Sequence, residues 1–186
     1  FVVGFPRSGT TLLEQILDAR ESLVSFDEQP YLVKTLQRLQ TMGVRYPEQL
    51  PDLQPAQIRA LRAGYFKQTE ATVPQRGSRR NVDKNPLNWA RLPLIQALFP
   101  QAKIILALRH PCDVILSCYM QNLRSTVLDG AFSEFERIVG PYVELVRYWQ
   151  RLQPKLQLPV LLSCYEDLVS DPQGSTQKIA AFLDMD

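Results

Sequence analysis

The 186 residues are 45% hydrophobic and 22% charged, a balance that supports one ordinary globular domain with a substantial core and gives no reason for two. A formal net charge of +2 is too small to imply a nucleic-acid or membrane partner, so any affinity for anions must come from where the arginines sit. No run approaches the roughly 18 apolar residues a membrane span needs, nothing has the form of a signal peptide, and Cys112, Cys118 and Cys164 lack metal-ligand spacing.

The three cysteines read as buried free thiols, which leans towards a reducing, cytoplasmic compartment. The sequence opens on Phe1, already inside an apolar run, and closes at Asp186 just after an amphipathic stretch, so it reads as an excerpt of a longer protein. Phe1-Val2-Val3 is a strand, and Gly4-Phe5-Pro6-Arg7-Ser8-Gly9-Thr10-Thr11 leads from it into a helical run, Leu12 to Ala19. A strand feeding a Gly-spaced loop feeding a helix brings backbone N–H groups and a helix N-terminus together on an anion, usually a phosphate. The spacing is that of a P-loop, but the expected Gly-Lys-Ser/Thr reads Gly9-Thr10-Thr11. In a nucleoside triphosphatase that lysine reaches the β- and γ-phosphates, so its loss argues against γ-phosphate chemistry. Arg7 stands inside the loop instead.

Thr10 and Thr11 can cap and open the first helix, whose Leu12, Leu13, Ile16 and Leu17 recur at helical spacing. Leu23 to Phe26 is a second strand that delivers Asp27-Glu28 at its end. Pro30 starts a helix to Met42, stopped by Gly43. Val44 to Pro55, with three prolines, is a loop, and Ala56 to Thr72 is a helix burying Ile58, Leu61, Tyr65 and Phe66. Together, the helices within residues 29–80 read as an insertion that covers the site. Gln75-Arg76-Gly77-Ser78-Arg79-Arg80 is a basic loop, read as a solvated turn or a phosphate contact. Asn81 to Lys84 is a strand, and Asn85-Pro86 starts a helix through Phe99 with Trp89, Leu92, Ile95 and Leu98 in the core.

Lys103 to Leu108 is the strongest strand, a continuous apolar run of the kind buried on both faces of a parallel sheet, and it discharges into Arg109. Pro111 begins a helix to Asn122, Arg124 to Gly130 is a polar loop, and Phe132 to Leu152 is a long amphipathic helix. Leu158 to Cys164 is the last strand, followed by Tyr165-Glu166-Asp167-Leu168 and a final helix, Gln173 to Leu183.

The alternation predicts an α/β, P-loop-like three-layer fold with a mainly parallel central sheet flanked by helices. Ligands bind such sheets beyond the carboxyl ends of the strands. The residues delivered there are the Gly4–Thr11 loop, Asp27-Glu28, Lys84, Arg109 and Tyr165. That set suits anion transfer. Where a P-loop kinase would place a Mg²⁺ carboxylate, the best strand ends in Arg109, so protein cations replace the metal and stabilise a leaving phosphate.

These residues resemble the sulfotransferases that use 3′-phosphoadenosine 5′-phosphosulfate (PAPS) and release 3′-phosphoadenosine 5′-phosphate (PAP) without a metal. Gly4 to Leu12 is similar to their 5′-phosphosulfate loop, Arg109-His110-Pro111 with Ser117 to their 3′-phosphate strand and helix, and Tyr165 to Leu168 to a third block. The nearest branch is the tyrosylprotein-sulfotransferase-like one, which includes bacterial members fused to helical repeats. The resemblance implies that Arg7, Ser8, Gly9, Thr10 and Thr11 hold the 5′-phosphosulfate, with Arg7 also catalytic. It implies further that Arg109 and Ser117 bind the 3′-phosphate, that Tyr165 contacts adenine or packs, that Lys84 stabilises the bridging oxygen and that Glu28 is the general base. Transfer would be in line, to a hydroxyl or phenol acceptor: a peptide tyrosine, a sugar, a lipid or a small molecule. Two departures from the family pattern are Gln121, where a further basic contact is expected, and an end before the C-terminal segment that closes over the nucleotide.

Each residue also has a plainer role. Arg109 could pair with Asp113, Glu28 could serve as a helix-start acid, Lys84 could lie exposed, and His110 reads as a local hydrogen-bonding residue. The alternatives for the chain are a P-loop nucleotide kinase-like enzyme and a non-catalytic nucleotide-binding module.

Overall fold

The computed structural model describes residues 1–74, 77–121 and 135–185. Five strands, β1 (Val2–Gly4), β2 (Leu23–Asp27), β3 (Arg80–Lys84), β4 (Ile104–Leu108) and β5 (Val160–Cys164), form one sheet in the order β2-β3-β1-β4-β5. Every pairing is parallel: Val2 lies opposite Lys84 on one side and Ile105 on the other, Asp27 opposite Lys84, and Leu108 opposite Cys164. All five carboxyl ends therefore share one edge. The chain runs outward from β1 to β2, returns through β3 and then crosses to β4. The gap between the β1 and β4 ends is thus the switch point where such sheets hold ligands.

Alternation along the strands divides the core between two faces. Val2, Ile105 and Ala107 face Leu13 and Leu17 of α1 (Thr10–Asp18), Leu168 of α7 (Tyr165–Ser170) and Ile179 of α8 (Pro172–Phe182). Val3, Ile104 and Leu106 belong to the larger cluster built by α2 (Tyr31–Thr41), α3 (Pro55–Thr72), α4 (Leu92–Leu98), α5 (Pro111–Met120) and α6 (Phe135–Leu152). The continuous apolar run of β4 is what a strand covered on both faces requires.

Several boundaries differ from the sequence expectation. The helix expected from Asn85 to Phe99 is a 3₁₀ segment, Pro86–Arg91, followed by α4, because Pro93 lacks an N–H and is accommodated only in a first turn. The Tyr165 segment is itself a helix, α7. It breaks at Asp171, whose carboxylate accepts from the Gly174 N–H at 2.9 Å and caps α8. A 3₁₀ turn, Leu50–Asp52, interrupts the Val44–Pro55 loop. On α3 the buried face is Leu61, Tyr65 and Thr69, with Ile58 and Phe66 half-buried. The expected loop Arg124–Gly130 and the residues Asn122 and Phe132 lie outside the described residues. The cysteines are free as expected, but only Cys118 is buried, and Cys112 is exposed. Among the described residues, no helix is long and apolar enough to cross a membrane.

Candidate active site

The loop after β1 is fixed by two residues in the left-handed region, Arg7 at φ 71° and Gly9 at φ 99°. The Ser8 N–H closes a tight turn on the Phe5 carbonyl at 3.1 Å. Gly9, rather than Thr10, is the N-cap of α1, and among the described residues no side chain caps the helix start, so its first-turn amides stay available to an anion. Glycine is required at two places. A Cβ on Gly4 would stand 2.8 Å from the Ala107 carbonyl, and one on Gly9 would stand 2.8 Å from the Tyr165 ring. Ser8 is buried at 3% exposure, yet its hydroxyl has no partner among the described residues. A polar atom taken from water and left unbonded is costly, so its geometry suits a ligand it does not yet touch.

Arg109, at the end of β4, has the same property. Its Nε is buried without a partner among the described residues. The rest of the guanidinium lies 4.6 Å over the Tyr165 ring, donates to the Arg7 carbonyl at 3.5 Å and pairs with Asp113 at 3.7 Å. The Asp113 pair expected as the plainer role is therefore present but is only one of several contacts. Ser117 does not join Arg109; it accepts from Arg7 Nε at 3.1 Å, while the Cys118 thiol donates to the Pro6 carbonyl at 3.4 Å, tying the loop to α5. The His110 amide donates to Glu166 at 2.9 Å, and this bond, helped by the charge of Arg109, holds Glu166 below the usual carboxylate range. Tyr165, at the start of α7, thus packs between Gly9 and Arg109.

Lys84 is not an exposed lysine. Its side chain is 2% exposed and meets three carboxylates: Glu14 at 3.2 Å, Glu28 at 3.1 Å, and Asp27. Burial works to lower its pKa, but the hydrogen bonds to Asp27 and Glu28 and the charges of Glu28 and Glu14 outweigh it, and the net direction is up. Glu28 follows β2 directly with φ 40°, its amide bonded to the Lys84 carbonyl at 2.9 Å, so the carboxylate is presented by a backbone that non-glycine residues rarely adopt. Glu14 is not among the residues singled out from the sequence. Its signal is a lone acid in the face Thr10, Leu13, Glu14, Leu17 that α1 buries. Burial raises its pKa against the pull of Lys84.

Asp83 points to the opposite face, accepting from Tyr65 at 2.8 Å and Asn88 at 3.2 Å, and burial pushes its pKa up to about 6. Arg80, from the basic loop, is at the amino edge of the sheet and donates to the Leu183 carbonyl at 2.7 Å, away from the site; Gln75 and Arg76 lie outside the described residues. Gln121 is exposed in the turn after α5.

The chain was compared with known proteins. A model described as the sulfotransferase family matches residues 1–186. An uncharacterised protein of Aquifex aeolicus is 28% identical over all of this chain and 25% of its own length. The nodulation protein NoeE of Sinorhizobium fredii is 30% identical over 63% of the chain and 30% of its own length. Protein-tyrosine sulfotransferase A of Caenorhabditis elegans is 23% identical over the whole chain and 49% of its own length. The chain thus spans a quarter to about half of these curated relatives. The sulfotransferase domain of the Synechococcus olefin synthase superposes with a TM-score of 0.64 at 26% identity, covering all of this chain and 72% of that one. The sulfotransferase domain from the curacin biosynthetic pathway gives the same TM-score at 20% identity, covering 73% of that chain, and shares the fold.

Proposed function

The chain belongs to the sulfotransferase family, and on that footing we propose that it moves a sulfuryl group from PAPS to a hydroxyl or phenol acceptor. The observation that supports this most is that two of the buried polar atoms without a hydrogen-bond partner among the described residues, Ser8 Oγ and Arg109 Nε, lie on the two sides of the switch point between β1 and β4. When bound, PAPS supplies the sulfuryl group and leaves as PAP. The amides of Gly9, Thr10 and Thr11, with Ser8 and Arg7, hold the 5′-phosphosulfate at the start of α1. Arg109 holds the 3′-phosphate with Ser117, the group that separates PAPS from ATP, and Tyr165 backs the Arg109 guanidinium and Gly9. Lys84 donates to the bridging oxygen and offsets the charge that gathers there. Glu28 accepts the proton of the acceptor hydroxyl. Positioning and charge stabilisation carry most of an in-line transfer of this kind. Residues 1–186 act as a single domain, and α2 and α3, within residues 29–80, shape access for the acceptor.

In the full-length protein, PAP is expected to raise the melting temperature well above the shift given by ATP with Mg²⁺. Equal shifts would overturn the donor assignment. Glu28→Ala is expected to cut sulfuryl transfer about 100-fold or more while leaving PAP binding within about threefold. Transfer at the wild-type rate would remove Glu28 from the mechanism.

A further inference from the structure

We infer that Glu14 is the positioning residue that holds the Lys84 ammonium at the transfer site and so leaves Glu28 free to take the acceptor proton. The inference rests on the sulfotransferase reading. It starts from the unequal exposure of the three carboxylates around one buried lysine. The side chains of Asp27 and Glu28 are 77% and 58% exposed, whereas that of Glu14 is 10% exposed. Asp27 and Glu28 face water, where ion pairs are screened and worth little. Glu14 reaches Lys84 from within the protein, where neither group has a solvent alternative. Removing one partner there leaves an uncompensated charge.

This arrangement resolves a conflict in the site. Lys84 donates to Glu28 at 3.1 Å, and a carboxylate holding an ammonium is a poorer base. Glu28 becomes effective only when Lys84 turns towards the leaving phosphate. As the ammonium gives up Asp27 and Glu28, Glu14 remains beneath it at salt-bridge distance and keeps it charged. Without Glu14, the same ammonium would be held only by the exposed pair, and Glu28 would stay engaged. The link is also mechanical, since α1 presents the loop amides at Gly9 to Thr11 and carries Glu14 on its buried face one turn later.

The test is a cycle in the full-length protein with PAPS as donor. Glu14→Gln is expected to lower kcat about 10- to 50-fold, with the KM for PAPS changed less than about threefold, because the effect is on the departing group. In a Lys84→Ala background, Glu14→Gln is expected to add less than about twofold. Independent, multiplying losses would overturn the inference, as would an unchanged kcat. A readout free of catalysis is the labelling of Lys84 by acetic anhydride, followed by peptide mass spectrometry with Lys103 as internal reference. Glu14→Gln is expected to raise Lys84 labelling about threefold or more by lowering the ammonium's pKa. If the wild type transfers no sulfuryl group, the functional reading falls and the labelling ratio decides alone, an unchanged ratio overturning the inference. Glu14→Asp, which keeps the charge but withdraws it, gives the same comparison with smaller effects should the glutamine variant not fold.

Discussion

Ser8 shows how a single side chain separates binding from stability. Its hydroxyl is buried and bonded to none of the described residues, so Ser8→Ala removes an unsatisfied group from the free protein. The variant is expected to unfold within about 0.5 kcal/mol of wild type in urea. Its affinity for PAP, read by titration calorimetry, is expected to fall about 5- to 30-fold, the worth of a hydrogen bond to a charged group. A large stability loss with unchanged affinity would mean that Ser8 serves the fold. The placement of Arg7, Ser8, Glu28, Lys84 and Arg109 at one edge of the sheet was legible in the sequence because each lies in the glycine-spaced loop or at the end of a strand. Glu14 was not, because an acid within a helix reads as a solvated residue until the partner it meets, 70 positions later in the chain, is known. The left-handed backbone at Arg7 and Glu28 was equally hidden, since neither residue type announces a positive φ.

At the scale of elements, β1, β2, β4 and β5 were legible because each carries a short apolar run, and β4 is apolar throughout, whereas β3, with Val82 as its one apolar residue, was legible from its place before the helix start at Asn85-Pro86. What escaped were the break at Pro93, whose missing N–H confines it to a first turn, and the short helix α7, which gives way to α8 at the side-chain cap of Asp171. The central strands also carry the stability on which the loops depend. Leu106 is fully buried, paired with Val3 on one side and Leu162 on the other. Leu106→Ala is expected to cost about 2–5 kcal/mol in chemical denaturation, as large-to-small changes in rigid cores do. A cost below about 1 kcal/mol would mean that the sheet can close over the space. The Arg7–Ser117 and Cys118–Pro6 bonds add a second dependence: the loop rests on α5 as well as on β1.

For the whole molecule, the buried Asp83 sets a pH dependence. Its proton is bound more tightly in the folded chain, where its pKa is about 6, than at the ordinary value of 3.8. Its contribution to stability is therefore full below about pH 4 and is lost as the pH rises through about 6. Asp83→Asn, which does not titrate, is expected to be less stable than wild type by a margin that shrinks from pH 4 to pH 7, measured by urea unfolding at both. A margin that grows with pH would reverse the assignment. The sheet order has a consequence for how the protein is made. β1 carries the Gly4–Thr11 loop and, among the described residues, pairs with no strand near it in sequence; its partners are Lys84 and the segment starting at Ile105. During synthesis the loop leaves the ribosome long before either partner, and it acquires its shape only when the second half of the domain has been translated. A ribosome stalled between β3 and β4 would thus display a chain whose most recognisable motif is still without its fold.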